Sequence, residues 1–233
     1  MASINGYQKG YKMELRAAIE GRRSIRKFKA KEIPRETIRD ILAKARWAPS
    51  WGNTQLWEFY VLTGKRLDEF REANHRSFVD GQTFPPDVPM HEVWPERLKE
   101  RYGELGKIML TTMNVKRDDK DARKRLYEDM TLLFGAPCIV VACIPGDILV
   151  EYAMFDIGLI VQTICLLAHD RGIGTCIMAM AVRNPGLLRR ILSIPEHRKI
   201  AIGIAMGYPD LDFPLNNFAR KRADISEYVK WVQ

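Results

Sequence analysis

The chain has 233 residues, of which 46% are apolar and 28% are charged. This composition supports one substantial core and excludes an intrinsically disordered chain, which would be poor in apolar residues. The formal charge is +8, but the stretches KERYGELGK and KRDDKDARKRLYED interleave acids with bases, as a solvated helix face does. No zinc-finger spacing or aromatic RNA-binding motif is present, so a nucleic-acid partner is not expected. Without repeats or a low-complexity linker, a single domain over 1–233 is predicted.

Cysteine usage and hydropathy indicate the compartment. Four cysteines lie in apolar surroundings without a CxxC pair, which is typical of reduced core thiols: Cys138, Cys143, Cys165 and Cys176. The most apolar segment, 157–168, is shorter than the roughly 20 residues that span a bilayer. The first residues lack the apolar core of a signal peptide. We therefore expect a cytoplasmic protein that does not contact a membrane.

The predicted elements alternate between helices and apolar strands. Helices are expected at 13–20, 34–48, from Lys65, and at 95–112, 118–134, 147–169 and 184–192, with Pro34 in a first turn and Asp147 as a cap. Strands are expected at 57–63, 138–144, 174–180 and 200–206. The stretch 78–95 holds four prolines and predicts a long loop. This pattern predicts an α+β or α/β domain, with the strand order left open.

The segment RRSIRKF at 22–28 packs four cations around one serine. On composition alone it reads as a solvated basic stretch. The functional interpretation is that arginine pairs with phosphate oxygens, Ser24 bonds a polyol hydroxyl, and another cation faces the pyrimidine edge of a flavin. A reduced flavin is anionic at that edge, so a nearby guanidinium stabilises it. Together with the apolar helix that runs into GIGTC at 172–176, whose glycines admit a flat ring, this segment suggests a flavin.

Three other motifs each have a simpler interpretation. APSWGNTQLWEF is either a turn beside core aromatics or a group of hydrogen-bonding side chains, Ser50, Asn53 and Gln55, that reads the edge of a ring. GIGTC is a glycine-punctuated helix end, and it lacks the order of a GxGxxG fingerprint. Arg220, Lys221 and Arg222 form a basic run near the C-terminus.

The order of these motifs is more specific than any one of them. RRSIRKF, APSxGNxQ, FGAP before a strand, DIGLxxQ entering GIGTC, GYPD and a late RKR resemble the FMN-dependent nitroreductase family, from about residue 15 to residue 231. The resemblance implies an α+β fold with a central, mainly antiparallel sheet flanked by helices. It also implies an intertwined homodimer with two FMN sites, each built from both chains.

The resemblance assigns residues to the FMN site. Arg22, Arg23 and Ser24 would hold the ribityl phosphate and hydroxyls, Arg26 would face N1 and O2, and the late arginines would complete the phosphate site. Residues from the partner chain would add Pro49, Ser50 and Asn53, with Gln55 close by. The stretch 177–180 would lie along the ring, with an amide near N5. The complete set is Arg22, Arg23, Ser24, Arg26, Pro49, Ser50, Asn53, Gln55, Met178, Ala179, Arg220 and Arg222. Relatives often carry glycine where this chain has Ala179 and Met180.

The implied chemistry is ping-pong hydride transfer from NADH or NADPH through FMN to a nitroaromatic, a quinone or a related small electron acceptor. The cofactor carries the reaction, so no catalytic side chain and no metal are expected. Substrate choice is expected in a lid over about 78–129, with Trp94 and Tyr102 as candidate contacts.

Alternatives remain at this point. One is an iodotyrosine-type reductive dehalogenase that would use Glu92, Tyr102 and Lys99 or Lys107 to hold a zwitterion. The others are a non-enzymatic basic binding module and a flavin-storage protein.

Overall fold

The computed structural model describes residues 13–90, 93–116 and 118–233. Its centre is a four-stranded antiparallel sheet in the order β1-β2-β4-β3. The strands are β1 Glu58–Thr63, β2 Cys138–Pro145, β3 Gly174–Met178 and β4 Arg198–Gly207. The α-helices of the described residues are α1 Leu15–Gly21, α2 Arg35–Ala45, α3 Gly64–Val79, α4 Glu96–Thr112, α5 Lys120–Thr131, α6 Val150–Asp170 and α7 Pro185–Leu192.

Helices cover both faces of the sheet. The central strand β2 is a continuous apolar run because its side chains are buried on both faces. On one face, Ile139 and Val141 lie in a core cluster with residues of α3 and α7. On the other face, Val140 and Ala142 pack in a cluster with residues of α2 and α6. The predicted α+β fold with an antiparallel sheet is confirmed, and its core lies in two layers around β2 and β4.

Some predicted element ends were wrong. The strand expected over 174–180 ends at Met178, since Ala179–Val182 form a 3₁₀ turn. The helix expected to reach residue 134 ends at Thr131, and three positive φ angles follow, at Leu133, Phe134 and Gly135. Asp147 does not cap α6, which begins at Val150 without a side-chain cap. The loop expected from residue 78 begins after α3, which extends through Val79.

The apolar stretch of helix α6 is longer than the segment 157–168 that the sequence suggested. The helix has 21 residues, and its most apolar 18-residue window has a mean hydropathy of 1.6, so by length and composition it could cross a membrane. Its packing is that of a core helix, because its inner face lies in the cluster with β2 and α2. The carboxylate of Asp156 is buried there and accepts a hydrogen bond from the Trp51 amide at 3.1 Å. The opposite face exposes Tyr152 and Phe155.

The basic segment 22–28 lies alongside the end of the sheet. Ser24 forms a parallel bridge with Thr175, and the Ile25 amide donates to the Thr175 carbonyl at 2.9 Å. A Cβ atom at Gly174 would lie 2.5 Å from Cγ1 of Ile25, which is closer than real Cβ contacts allow. Gly174 in the GIGTC motif is therefore required for close packing of the basic segment against β3.

Substitution of Gly174 tests this packing. Gly174→Ala should lower the free energy of unfolding by about 1–3 kcal/mol, the usual cost of overpacking a tight core. Urea unfolding followed by circular dichroism measures it. Gly186→Ala is the matched control, because Gly186 is exposed on α7 and its nearest neighbour would be 3.9 Å away. Equal effects of the two changes would contradict the packing argument.

Candidate active site

A cavity of about 440 Å³ lies between the segment 22–26, α4 and the C-terminal segment 218–227. We call it the basic cavity. Seven cationic side chains and two carboxylates line it: Arg22, Arg23, Arg26, Arg101, Arg220, Lys221 and Arg222, with Glu104 and Glu227. Both carboxylates are occupied, in the ion pairs Arg101–Glu227 and Lys221–Glu104. The other five arginines have no carboxylate partner among the described residues, and they form a site for a polyanion.

Main-chain carbonyl groups hold two of these arginines in place. Arg23 donates from Nη1 to the carbonyl oxygen of Asn216 at 2.9 Å and to that of Phe218 at 3.3 Å. Arg220 donates to the carbonyl oxygens of Glu20 and Arg22. These acceptors are neutral, so they fix the guanidinium groups without cancelling their charge.

The accumulated charge changes the titration of its neighbours. Burial lowers the pKa of His169, and the positive charges of Arg22 and Arg220 lower it further. Burial also lowers the pKa of Arg220, and repulsion from Arg23 and Arg222 adds to that effect. Both shifts have the sign expected in a positive potential that an anionic ligand would relieve.

One atom of the cavity fits an anionic or hydroxylated ligand directly. Nε of Arg22 is buried and has no hydrogen-bond partner within the described ranges. A buried donor without a partner costs free energy, so an acceptor oxygen at this position would be stabilising. Ser24, which also lines the cavity, adds a hydroxyl group. The donor set suits a phosphate with adjoining hydroxyls.

Asn216 organises the cavity although the sequence analysis did not identify it. It is fully buried, and its Oδ1 accepts from the Arg26 amide at 2.6 Å. Its Nδ2 donates to the carbonyl oxygens of Lys27 and Asp210, at 2.9 and 2.7 Å. In the sequence it is one of two adjacent asparagines, and nothing there separates a buried ligand of the main chain from an ordinary turn residue.

A second cavity of about 650 Å³ adjoins the first. We call it the apolar cavity. Arg26 and Leu105 line both cavities, and α4 forms a wall of each. Much of the remaining lining is apolar or aromatic: Met90, Tyr102, Leu110, Met130, Ala179 and Met180. A charged cavity that continues into an apolar one matches a ligand with a polyanionic tail and a flat, apolar head.

The predicted ring-binding stretch lies partly in this second cavity. Ala179 and Met180 line it. Met178 lines neither cavity, since it is 6% exposed, its side chain lies in the core cluster around β2 and its main chain pairs with Gly203 of β4.

The four residues expected from a partner chain lie elsewhere. Pro49, Ser50, Asn53 and Gln55 line neither cavity. Ser50 Oγ accepts from the Gln55 amide at 2.9 Å, and Gln55 Nε2 donates to Oδ1 of Asn53 at 3.3 Å. Pro49, Asn53 and Gln55 are exposed. Within one chain, the structure therefore gathers the arginines, Ser24 and Ala179, and it holds these four residues apart from them.

Comparison with known proteins decides the family. The nitroreductase family model matches residues 19–208. The chain belongs to the nitroreductase family. It is 31% identical to a 4-nitrobenzoate reductase of Nocardioides sp. over 93% of this chain and 89% of that one. It is 29% identical to a nitrobenzene nitroreductase of Ectopseudomonas oleovorans over 92% and 95% of the two chains.

A solved structure extends the likeness to three dimensions. The FMN-dependent nitroreductase NfnB from Mycobacterium smegmatis, in complex with NADPH, matches with a TM-score of 0.88 and 28% identity. The match covers 94% of this chain and 97% of that chain. The resemblance that the sequence motifs carried is confirmed, together with the nitroreductase fold.

The dehalogenase alternative receives little support from the lid residues. Tyr102 lines the apolar cavity and stacks on Trp94 with ring centroids 6.4 Å apart. Lys99 is exposed and pairs with Glu96, and neither Lys99 nor Lys107 lines the cavity. Glu92 lies outside the described residues. The described lining thus offers no carboxylate to hold the ammonium group of an amino acid.

Replacement of Asn216 tests its organising role. Asn216→Ala should cost at least about 2 kcal/mol of unfolding free energy, because the Arg26 amide and two main-chain carbonyls lose their partner and a fully buried side chain is truncated. Asn217→Ala, at the neighbouring exposed position, is the control and should cost less, because it removes one exposed hydrogen bond, to the Leu211 carbonyl. Urea unfolding measures both variants. A wild-type midpoint for Asn216→Ala would show that the asparagine is dispensable.

Proposed function

We propose that the protein is an FMN-dependent oxidoreductase that uses NADPH or NADH to reduce nitroaromatic compounds or related small electrophiles. The observation that carries the proposal is the junction of the two cavities at Arg26, where a polyanion site meets an apolar chamber. Membership of the nitroreductase family supports the same cofactor and reaction class. The names of two relatives, a 4-nitrobenzoate reductase and a nitrobenzene nitroreductase, support nitroaromatic acceptors.

The basic cavity would hold the FMN phosphate and ribityl chain. Arg22, Arg23, Arg220 and Arg222 supply the charge, and Ser24 supplies a hydroxyl group. Bidentate guanidinium groups suit phosphate oxygens, and their anchoring to carbonyl groups orients them before the ligand arrives. Binding would also relieve the repulsion that lowers the pKa of Arg220.

Arg26 would lie at the pyrimidine edge of the ring. Its amide is fixed by Asn216, and its guanidinium lies 5.8 Å from the Phe218 ring centroid. When bound, FMN would supply the redox chemistry between the nicotinamide donor and the electron acceptor. Arg26 stabilises the negative charge of the reduced state, the apolar walls exclude water, and Ala179 and Met180 bound the space over the ring.

The site would be completed by a second copy of the chain. Polar side chains lie at the surface at Ser50, Asn53 and Gln55. They adjoin an exposed aromatic surface, in which the ring centroids of Trp51 and Tyr152 are 4.4 Å apart. Trp51 is 63% exposed and Phe155 is 68% exposed, unusual for large apolar side chains of a monomer. We infer a homodimer in which this surface is buried and the three polar residues reach the partner's FMN.

The remaining expectations fit this proposal. All four cysteines are buried and unpaired, as expected of reduced thiols in a cytoplasmic protein. Burial raises the pKa of Cys138 and of Cys143 to about 12, so neither thiol is reactive. One domain carries both cavities, and α4 serves as part of a lid over them.

A visible spectrum tests the redox cycle. Protein purified with FMN should be yellow and show the visible absorption of an oxidised flavin. It should bleach under nitrogen on addition of NADPH or NADH and recover its colour on addition of a nitroaromatic. The control is the same series of additions to free FMN without protein. A colourless protein that takes up no FMN, or a yellow one that neither donor bleaches, would exclude the proposed function.

Mixed dimers test the shared site. One variant chain carries Arg22→Gln and Arg222→Gln, and a second variant chain carries Asn53→Asp. We expect the homodimer of each variant to bind FMN more weakly than the wild type does. In the mixed dimer, one site carries every change and the other site is intact, so about half of the tight FMN binding should return. Asp is chosen because position 53 has a φ of 56°, which Asn and Asp tolerate. If each site came from one chain, mixing would restore nothing.

A further inference from the structure

The apolar cavity is positively charged at more than one point. Besides Arg26, it is lined by Arg123 on α5 and by Arg183, which follows the 3₁₀ turn Ala179–Val182. No aspartate or glutamate occurs among the described residues of its lining. Since Arg26 is assigned to the flavin edge, two further cations face the space in which the electron acceptor would lie.

Arg183 is held firmly by neutral groups. Its Nη1 donates to Ser77 Oγ at 3.0 Å and its Nη2 donates to the Gln82 carbonyl at 2.6 Å. The guanidinium carbon lies 5.5 Å from the Phe78 ring centroid and 5.8 Å from that of Phe84. Burial lowers the pKa of Arg183, and no carboxylate offsets this effect. The side chain is therefore ordered and half-buried, and its charge is not neutralised.

A neighbouring arginine shows the alternative arrangement. Arg189 on α7 is also half-buried, but it pairs with both carboxylate oxygens of Asp87 and with Glu196 at 3.2 Å. It lines neither cavity. A structural arginine in this region thus has its own counter-ions. Arg183 has no such counter-ion among the described residues, and it lines a cavity. This is the arrangement expected of a residue that binds an anionic ligand.

Arg123 is a second cation that lines the apolar cavity. It is exposed on α5, and none of the ion pairs described for the chain includes it, whereas the next residue, Lys124, pairs with Glu128. Apolar and aromatic side chains, among them Leu126 and Tyr127, line the cavity beside it. The site therefore combines an apolar surface for a ring with two cations for a charged substituent.

We propose that Arg123 and Arg183 form an anion subsite that selects aromatic acceptors bearing a carboxylate. The inference rests on the proposed function, because it names the substrate class of the same site. A carboxylate accepts charge-assisted hydrogen bonds from guanidinium groups, and a neutral ring lacks this interaction. A phosphate of NADPH has the same chemistry and would occupy the same cavity, so the experiment has to separate the two sources.

Matched acceptors provide the test. We would measure kcat/KM for 4-nitrobenzoate and for 4-nitrobenzamide, a neutral compound of similar shape, with NADH as donor. The wild type should prefer the carboxylate, and Arg123→Gln and Arg183→Gln should each lower the carboxylate-to-amide ratio about tenfold or more, as expected for loss of a charge-assisted hydrogen bond. Arg190→Gln, at an exposed position of α7 outside both cavities, should leave the ratio unchanged.

The outcomes separate the two proposals. If neither the wild type nor any variant reduces either compound, the proposed function is wrong. If both compounds are reduced and the ratio does not respond to either substitution, the anion subsite is wrong and the function stands. A loss of preference for NADPH over NADH, with the acceptor ratio unchanged, would assign the arginines to the donor phosphate and overturn the proposal. Should Arg183→Gln unfold, Arg123→Gln and Arg123→Glu still decide, because Arg123 is exposed.

Discussion

The site depends on arginines that neutral groups hold in place. Arg23 and Arg220 donate to main-chain carbonyls, and Arg183 donates to a hydroxyl and a carbonyl. A carbonyl group fixes the direction of a guanidinium and leaves its charge uncancelled. A carboxylate fixes the direction and also neutralises the charge. This difference separates arginines that can bind a ligand from arginines that hold the fold, such as Arg189 with Asp87. Neither burial nor sequence position alone would separate the two groups.

The sequence motifs derive their meaning from contacts with one another. Gly174 of GIGTC lacks a side chain because Ile25 of RRSIRKF occupies that space. Gly207 of GYPD is in the same position, since a Cβ there would lie 2.7 Å from Cδ1 of Phe28. Both glycines therefore fit the basic segment against the sheet. The motif that suggested close approach to a flat ring instead permits close approach of the segment that carries the arginines.

Local patterns predicted the elements well and their ends poorly. The continuous apolar run at 138–144 indicated a buried strand by its length, its β-branched residues and the following Pro145 and Gly146, and the structure has a strand at Cys138–Pro145. The end of β3 at Met178 depends on tertiary packing and could not be read from the sequence of residues 177–180. Asn216 and Arg183 were missed for a related reason: their partners lie far away in the sequence, and composition shows only a polar or basic residue. The family resemblance supplied the arginines of the basic cavity, but it carried no information on what neutralises each one.

The basic cavity joins the two ends of the described chain, and this links ligand binding to folding. Residues 22–26 and 216–222 are joined by the hydrogen bonds of Asn216, by the carbonyl contacts of Arg23 and Arg220, and by the contact of Arg26 with the Phe218 ring. Bringing five arginines without carboxylate partners into one cavity is electrostatically unfavourable, and these hydrogen bonds offset part of that cost. A bound phosphate would remove the repulsion and bridge both segments, so it favours the state in which they are docked. The same arginines would thus both bind the ligand and, once it is bound, fasten residues 216–222 to the basic segment that lies alongside the sheet.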